Sequence, residues 1–122
     1  MRGQTRSNCG DWPRPVIKAP GDAVVRVTHT TICGTDLQFL KDDVATAKPG
    51  RIPGHEGVGV IDRVGAGMTA FKPGDYAVMA CDSACSTCAV CSRRMYSHRT
   101  MGGSMLANSS DGCQAEYARK PT

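Results

Sequence analysis

The chain has 122 residues, seven cysteines and only six aromatic side chains (one Trp, three Tyr and two Phe), which suits one domain with a modest core. Fifteen Lys and Arg against eleven Asp and Glu give a net charge of +4. The basic residues are scattered, with pairs only at Arg93-Arg94 and Arg119-Lys120, so the dense basic stripe with stacking aromatics of a nucleic-acid binder is excluded. No apolar run approaches the ~20 residues of a membrane span, and no apolar stretch follows Arg2 and Arg6 to make a secretory signal; a soluble, cytoplasmic protein is expected, with no membrane partner.

In chain order, residues 1–22 hold Gly3, Gly10, Pro13, Pro15, Pro20 and Gly21 and are expected to be irregular or loosely attached, with 1–14 an irregular segment ahead of the domain. "AVVRVTHTTI" (23–32) is rich in β-branched residues and places Val25, Val27, His29 and Thr31 on one face of a strand. "GTDLQFLK" has the makings of one or two helical turns with Thr35 or Asp36 as N-cap. "KPGRIPGHEG" is a loop; "VGVIDRV" and "YAVMA" are further strands, separated by the turns "GAGM" and "FKPGD". "SMLANSSDG" reads as a polar loop, and "CQAEYARK" alternates as a last strand. Short strands divided by Gly/Pro turns, with almost no helix, imply a mainly β fold, an open or partly closed β-barrel.

"GAGMTA" (65–70) has the G-x-G-x-x-A form of a dinucleotide-binding turn, but Pro73 and Gly74 leave no room for the helix whose N-terminus would meet a pyrophosphate. A hairpin turn is expected there instead.

Two groups of residues have metal-binding chemistry. Cys33, His55 and Glu56 are all zinc-ligand types, the last two set between glycines; by spacing alone, a buried thiol and a loop histidine are the favoured reading. Cys85, Cys88 and Cys91 repeat C-x2-C, a strong metal signal, with Cys81 before them and His98 after. Their closeness in sequence and the odd cysteine total argue against a disulfide framework and for a reducing compartment. A redox dithiol would prefer a C-x-x-C opening a helix in an α/β pattern. His29 reads as a strand-face residue, Cys9 and Cys113 as plain thiols.

"TTICGTDL", "PGRIPGHEGVGVIDRVG", "FKPGDYAVM", "CDSACSTCAVC", "RMYSH" and "DGCQAEYAR" together resemble the N-terminal GroES-like catalytic domain of a zinc-dependent medium-chain alcohol dehydrogenase of the bacterial secondary-alcohol type. The resemblance runs over 15–122. It implies a mainly β, GroES-like, partly open β-barrel with a zinc-binding cysteine lobe at about 81–103. It implies Cys33 and His55 as ligands of a catalytic zinc, with Glu56 beside the metal as an exchangeable ligand. Thr35 would bond the alcohol oxygen and pass on its proton, and Asp36 would orient the His55 ring. Cys85, Cys88 and Cys91 would hold a second, structural zinc, with His98 as the expected fourth ligand and Cys81 the alternative.

The chain also departs from that pattern. Arg99 stands where the family has its fourth structural cysteine, and Gln38 stands at the outer end of the proton relay, usually a histidine. No nucleotide-binding domain is recognisable. The expectation is therefore a truncated family member, oxidising an alcohol to an aldehyde or ketone with NAD(P) only if a nucleotide-binding domain is supplied, and inactive alone. The alternative is a non-catalytic zinc-binding or partner-binding β-module, self-associating or docked to the missing domain.

Overall fold

The computed structural model describes residues 9–85, 88–99 and 106–121. Positions 1–8 of the expected irregular segment and 86–87 and 100–103 of the expected lobe lie outside the described residues.

The β-branched run forms β1, Ala23–Thr30, at the centre of the sheet. On one side it pairs antiparallel with β2, Gly57–Val64, and on the other with β4, Tyr117–Lys120. β3, Tyr76–Met79, lies antiparallel beyond β2, giving the order β3-β2-β1-β4. The architecture is a mainly β, open antiparallel sheet with little helix, as the strand and turn pattern implies. α1 is Gly34–Leu40, α2 is Ala89–Ser92, and a single 3-10 turn covers Tyr96–His98.

The simple alternation expected of β1 does not hold. The ladder with β2 is irregular between Val24 and Val25 and between Val27 and His29. The extra residue is Asp62 of β2 at the first and Thr28 of β1 at the second. The inward face of β1 therefore shifts by one residue beyond Val27, leaving His29 and Thr31 exposed, while Ala23, Val24 and Val25 are all buried. Ala23 and Val25 join Ile61, Met79, Leu106, Cys113 and Ala118 in one core cluster.

Two further expectations change. The last strand is shorter than 113–120, because Cys113 and Gln114 donate their backbone N–H groups to Gly54 and Pro53 rather than to β1. The polar loop also hides core residues: Leu106 is fully buried, and Ala107 and Ser110 are buried with it. The "GAGMTA" turn holds no helix. Gly65 and Gly67 donate to the carbonyls of Asp22 and Pro20, so the turn is packed against the entry to β1.

That entry is pinned by Asp22, 1% exposed. Its Oδ2 accepts from the N–H groups of Lys18 (2.9 Å) and Ala19 (3.0 Å) and from the Arg119 guanidinium on β4 (2.9 Å). Burial alone pushes the Asp22 carboxyl pKa up, but the bonds from Lys18, Arg119 and Ala19 outweigh it and hold the carboxyl below its ordinary value.

Candidate metal centre

Cys33 closes the segment after β1 and is the N-cap of α1, not Thr35 or Asp36. Its sulfur accepts the Thr35 N–H at 3.3 Å, while Asp36 accepts the Cys33 N–H at 2.9 Å. This reciprocal capping satisfies two orphan donors of the helix start and fixes where the thiol points.

His55 is delivered by a different segment. Residues 52–54 run beside 112–114, with Gly112, Cys113 and Gln114 donating N–H groups to the carbonyls of Ile52, Gly54 and Pro53 at 2.7, 2.9 and 3.0 Å. Gly54 has φ +92, and a Cβ on it would lie 2.7 Å from Gln114 Cγ, so only glycine fits the corner before His55.

Asp36 joins the two segments. It is 3% exposed, and its second oxygen accepts the Gly54 N–H at 3.0 Å while the first holds Cys33. The hydrogen bonds of Asp36 run to the backbones of Cys33 and Gly54 rather than to the His55 ring, although a carboxylate oxygen of Asp36 lies within 4.8 Å of a ring nitrogen. Asp36 positions the site through the backbones of its two ligand-bearing segments instead.

The result brings Cys33 Sγ to 3.4 Å from His55 Nε2. A tetrahedral zinc with Zn–S of about 2.3 Å and Zn–N of about 2.0 Å requires a sulfur–nitrogen separation of roughly 3.5 Å. The pair therefore has the spacing of two ligands on one ion. A potential ligand atom of Cys33, Asp36 and His55 each lies within 4.8 Å of the others. Glu56 is outside that group. Its Oε2 accepts from Thr31 Oγ1 at 2.5 Å, and the Thr31 N–H reaches the Glu56 carbonyl at 3.2 Å. Thr31 thus holds the Glu56 carboxylate, a contact that the sequence does not reveal, since one threonine in a β-branched run carries no distinguishing signal. A cleft of about 490 Å³ opens beside His55 and Glu56, walled in part by Thr31, Val58, Val78 and Met79.

The second group forms on α2. Cys88 is its N-cap, and Cys88 Sγ accepts the Cys91 N–H at 3.4 Å. Cys85 Sγ and Cys91 Sγ are 3.9 Å apart, and the sulfurs of Cys85, Cys88 and Cys91 lie within 4.8 Å of one another. Two thiolates on a tetrahedral zinc sit about 3.8 Å apart, whereas a disulfide closes to about 2.05 Å. His98 is not in this group; it is exposed, with Nδ1 3.2 Å from Ser97 Oγ. Cys81, also exposed, is outside it as well. Arg99 donates from Nη1 to Ser83 Oγ at 3.1 Å. Lys120 ties the entry of the lobe to β4, donating to the Ala80 and Asp82 carbonyls at 2.6 and 2.7 Å, and its burial lowers its pKa.

The family model for the alcohol dehydrogenase GroES-like domain matches residues 19–122. The chain belongs to that family. The domain superimposes on the apo zinc-dependent alcohol dehydrogenase 2 from Streptococcus pneumonia with a TM-score of 0.88 and 42% identity, over 98% of this chain and 34% of that one. It is 36% identical to the zinc-type alcohol dehydrogenase B of Aspergillus flavus, over 89% of this chain and 25% of that protein. The cobalt- and zinc-bound thermostable alcohol dehydrogenase from Pyrobaculum aerophilum matches at a TM-score of 0.74 with 28% identity, over 89% of this chain and 32% of that one. The domain thus spans about a third or less of the length of these relatives. Among its described residues, no helix is long and apolar enough to cross a membrane.

Proposed function

We propose that the domain carries the alcohol-binding zinc centre of an NAD(P)-dependent alcohol dehydrogenase, acting on a small alcohol to give an aldehyde or ketone. The observation that carries this reading is the 3.4 Å separation of Cys33 Sγ and His55 Nε2, held by Asp36 from both sides and matched to a shared zinc. Cys33 and His55 are the protein ligands in this domain, and Glu56 is an exchangeable one, kept at hand by Thr31. Bound zinc supplies Lewis acidity, which makes the alcohol's hydroxyl proton easier to remove.

The chain's own residues orient the substrate and handle that proton. Thr35 stands in the first turn of α1, two residues after the ligand cysteine, with its side chain half-buried; its hydroxyl bonds the alcohol oxygen and accepts the proton onward. Gln38 lies one turn further along α1 and is exposed. An amide does not titrate near neutral pH, so Gln38 carries no proton itself, and the Thr35 hydroxyl releases its own proton to water as it takes the alcohol's. NAD(P) would be held by a nucleotide-binding domain, the partner this reading requires. Cys85, Cys88 and Cys91 hold a second, structural metal. The close spacing of Cys85, Cys88 and Cys91 and the odd cysteine total suit a reducing compartment, the cytoplasm.

The test is a titration of the cobalt(II)-loaded domain with propan-2-ol, followed by visible absorption. A saturable change in the ligand-field bands, absent from Cys33→Ser, is expected. A wild-type spectrum indifferent to alcohol would remove the reading.

A further inference from the structure

Three cysteine sulfurs converge in the lobe, and among the described residues no fourth metal-ligand atom joins their group. Between positions 83 and 110 the sequence contains no Asp and no Glu, no cysteine besides these three, and His98 as its only histidine. His98 and Cys81 both stand outside the group of sulfurs. Arg99, which follows His98, turns its guanidinium to Ser83. A tetrahedral ion on three protein ligands keeps one open position, the arrangement of exchangeable rather than closed zinc sites.

We propose that the metal on Cys85, Cys88 and Cys91 has an open fourth coordination position that takes a small exogenous thiolate. The inference rests on the lobe holding a metal and is independent of the Cys33–His55 centre. Softness and charge select the ligand class. Three sulfur donors suit a soft fourth donor. A divalent ion on three thiolates carries one net negative charge, and a fourth thiolate makes two. Arg93, Arg94 and Arg99 lie within the same carboxylate-free stretch, so the side-chain charge of this part of the chain is positive and favours an incoming anion. The incoming thiol gives its proton to solvent as its sulfur takes the position vacated by water, with no oxidation or reduction at either partner.

Cadmium NMR reads the two centres separately, because each sulfur ligand moves the resonance downfield. The full chain is loaded with cadmium under a phosphine reductant and titrated with 2-mercaptoethanol, as wild type and as His98→Ala, an exposed position. The expected result is a sulfur-rich lobe resonance that moves further downfield and saturates with thiol, identically in both proteins. A lobe resonance that ignores the thiol would overturn the proposal, because the chain itself then completes the site. So would a resonance shifted by His98→Ala before any thiol is added, which would make His98 the fourth ligand, or the absence of any sulfur-rich resonance. Failure of the alcohol-binding reading shows elsewhere, as loss of the resonance from the mixed sulfur–nitrogen centre.

Discussion

Replacing Gly54 with alanine is expected to destabilise the domain by about 3 kcal/mol or more and to weaken metal binding at Cys33 and His55 with it. The backbone at Gly54 has φ +92, and the added Cβ would lie 2.7 Å from Gln114 Cγ, 2.9 Å from Gln114 N and 3.4 Å from Cys113 N. The side-chain contact can give way, but the backbone nitrogen of Gln114 is already donating to Pro53 at 3.0 Å. Relief therefore requires residues 52–54 to separate from 112–114. That movement also strains the bond from the Gly54 N–H to Asp36, 3.0 Å long, which links the His55 segment to the Cys33 segment. The two ligands then lose their common reference. Urea unfolding with chelator present measures the first effect, and competition with a chromophoric chelator the second. A variant that is destabilised but keeps wild-type metal affinity would show that His55 does not depend on this corner.

The second large effect is at Asp22. Asp22→Ala leaves the Arg119 guanidinium and two backbone N–H groups without their shared acceptor, and breaking a buried ion pair from one side costs about 3–5 kcal/mol. A small domain has a total stability of about 5–15 kcal/mol, so the loss is a large share. The effect has a sign in pH. The folded-state pKa of Asp22 lies below its ordinary 3.8, so the folded state favours the charged form. The stabilisation is fully present above the unfolded value and is lost as pH falls through the folded value. The stability gap between wild type and Asp22→Ala should be widest at neutral pH and should narrow below about pH 4. Parallel pH profiles for the two proteins would show that Asp22 acts without its charge.

Strand identity was legible in the sequence because Val, Ile and Thr cluster where the sheet forms and Gly and Pro mark its turns. Strand phase was not. The irregular pairing near Val24 and Val27 depends on β2, so the period of β1 alone misassigned His29 and Thr31 to a face with Val25. Leu106 was missed for a related reason: a lone apolar residue among polar ones gives no periodicity, and only the position of the core shows that it is buried. The ligand-type residues were visible as chemistry in Cys33, His55, Cys85, Cys88 and Cys91. What spacing could not supply was their convergence, since Cys33 and His55 meet only because Asp36 bridges two segments through backbone donors. The N-cap was misplaced because cysteine is seldom read as a capping residue, yet its sulfur accepts the same N–H that a serine oxygen would.

The central claim is that Cys33 and His55 share a zinc ion. Zinc per chain by elemental analysis tests it most directly, on protein purified under reductant, for the wild type and for the Cys33→Ser, His55→Ala double variant. Two tetrahedral centres predict about two zinc ions in the wild type and about one in the variant, the lobe keeping its own. Equal zinc content in the two proteins would contradict the account, and would mean that the 3.4 Å contact is a hydrogen bond between a thiol and an imidazole and nothing more.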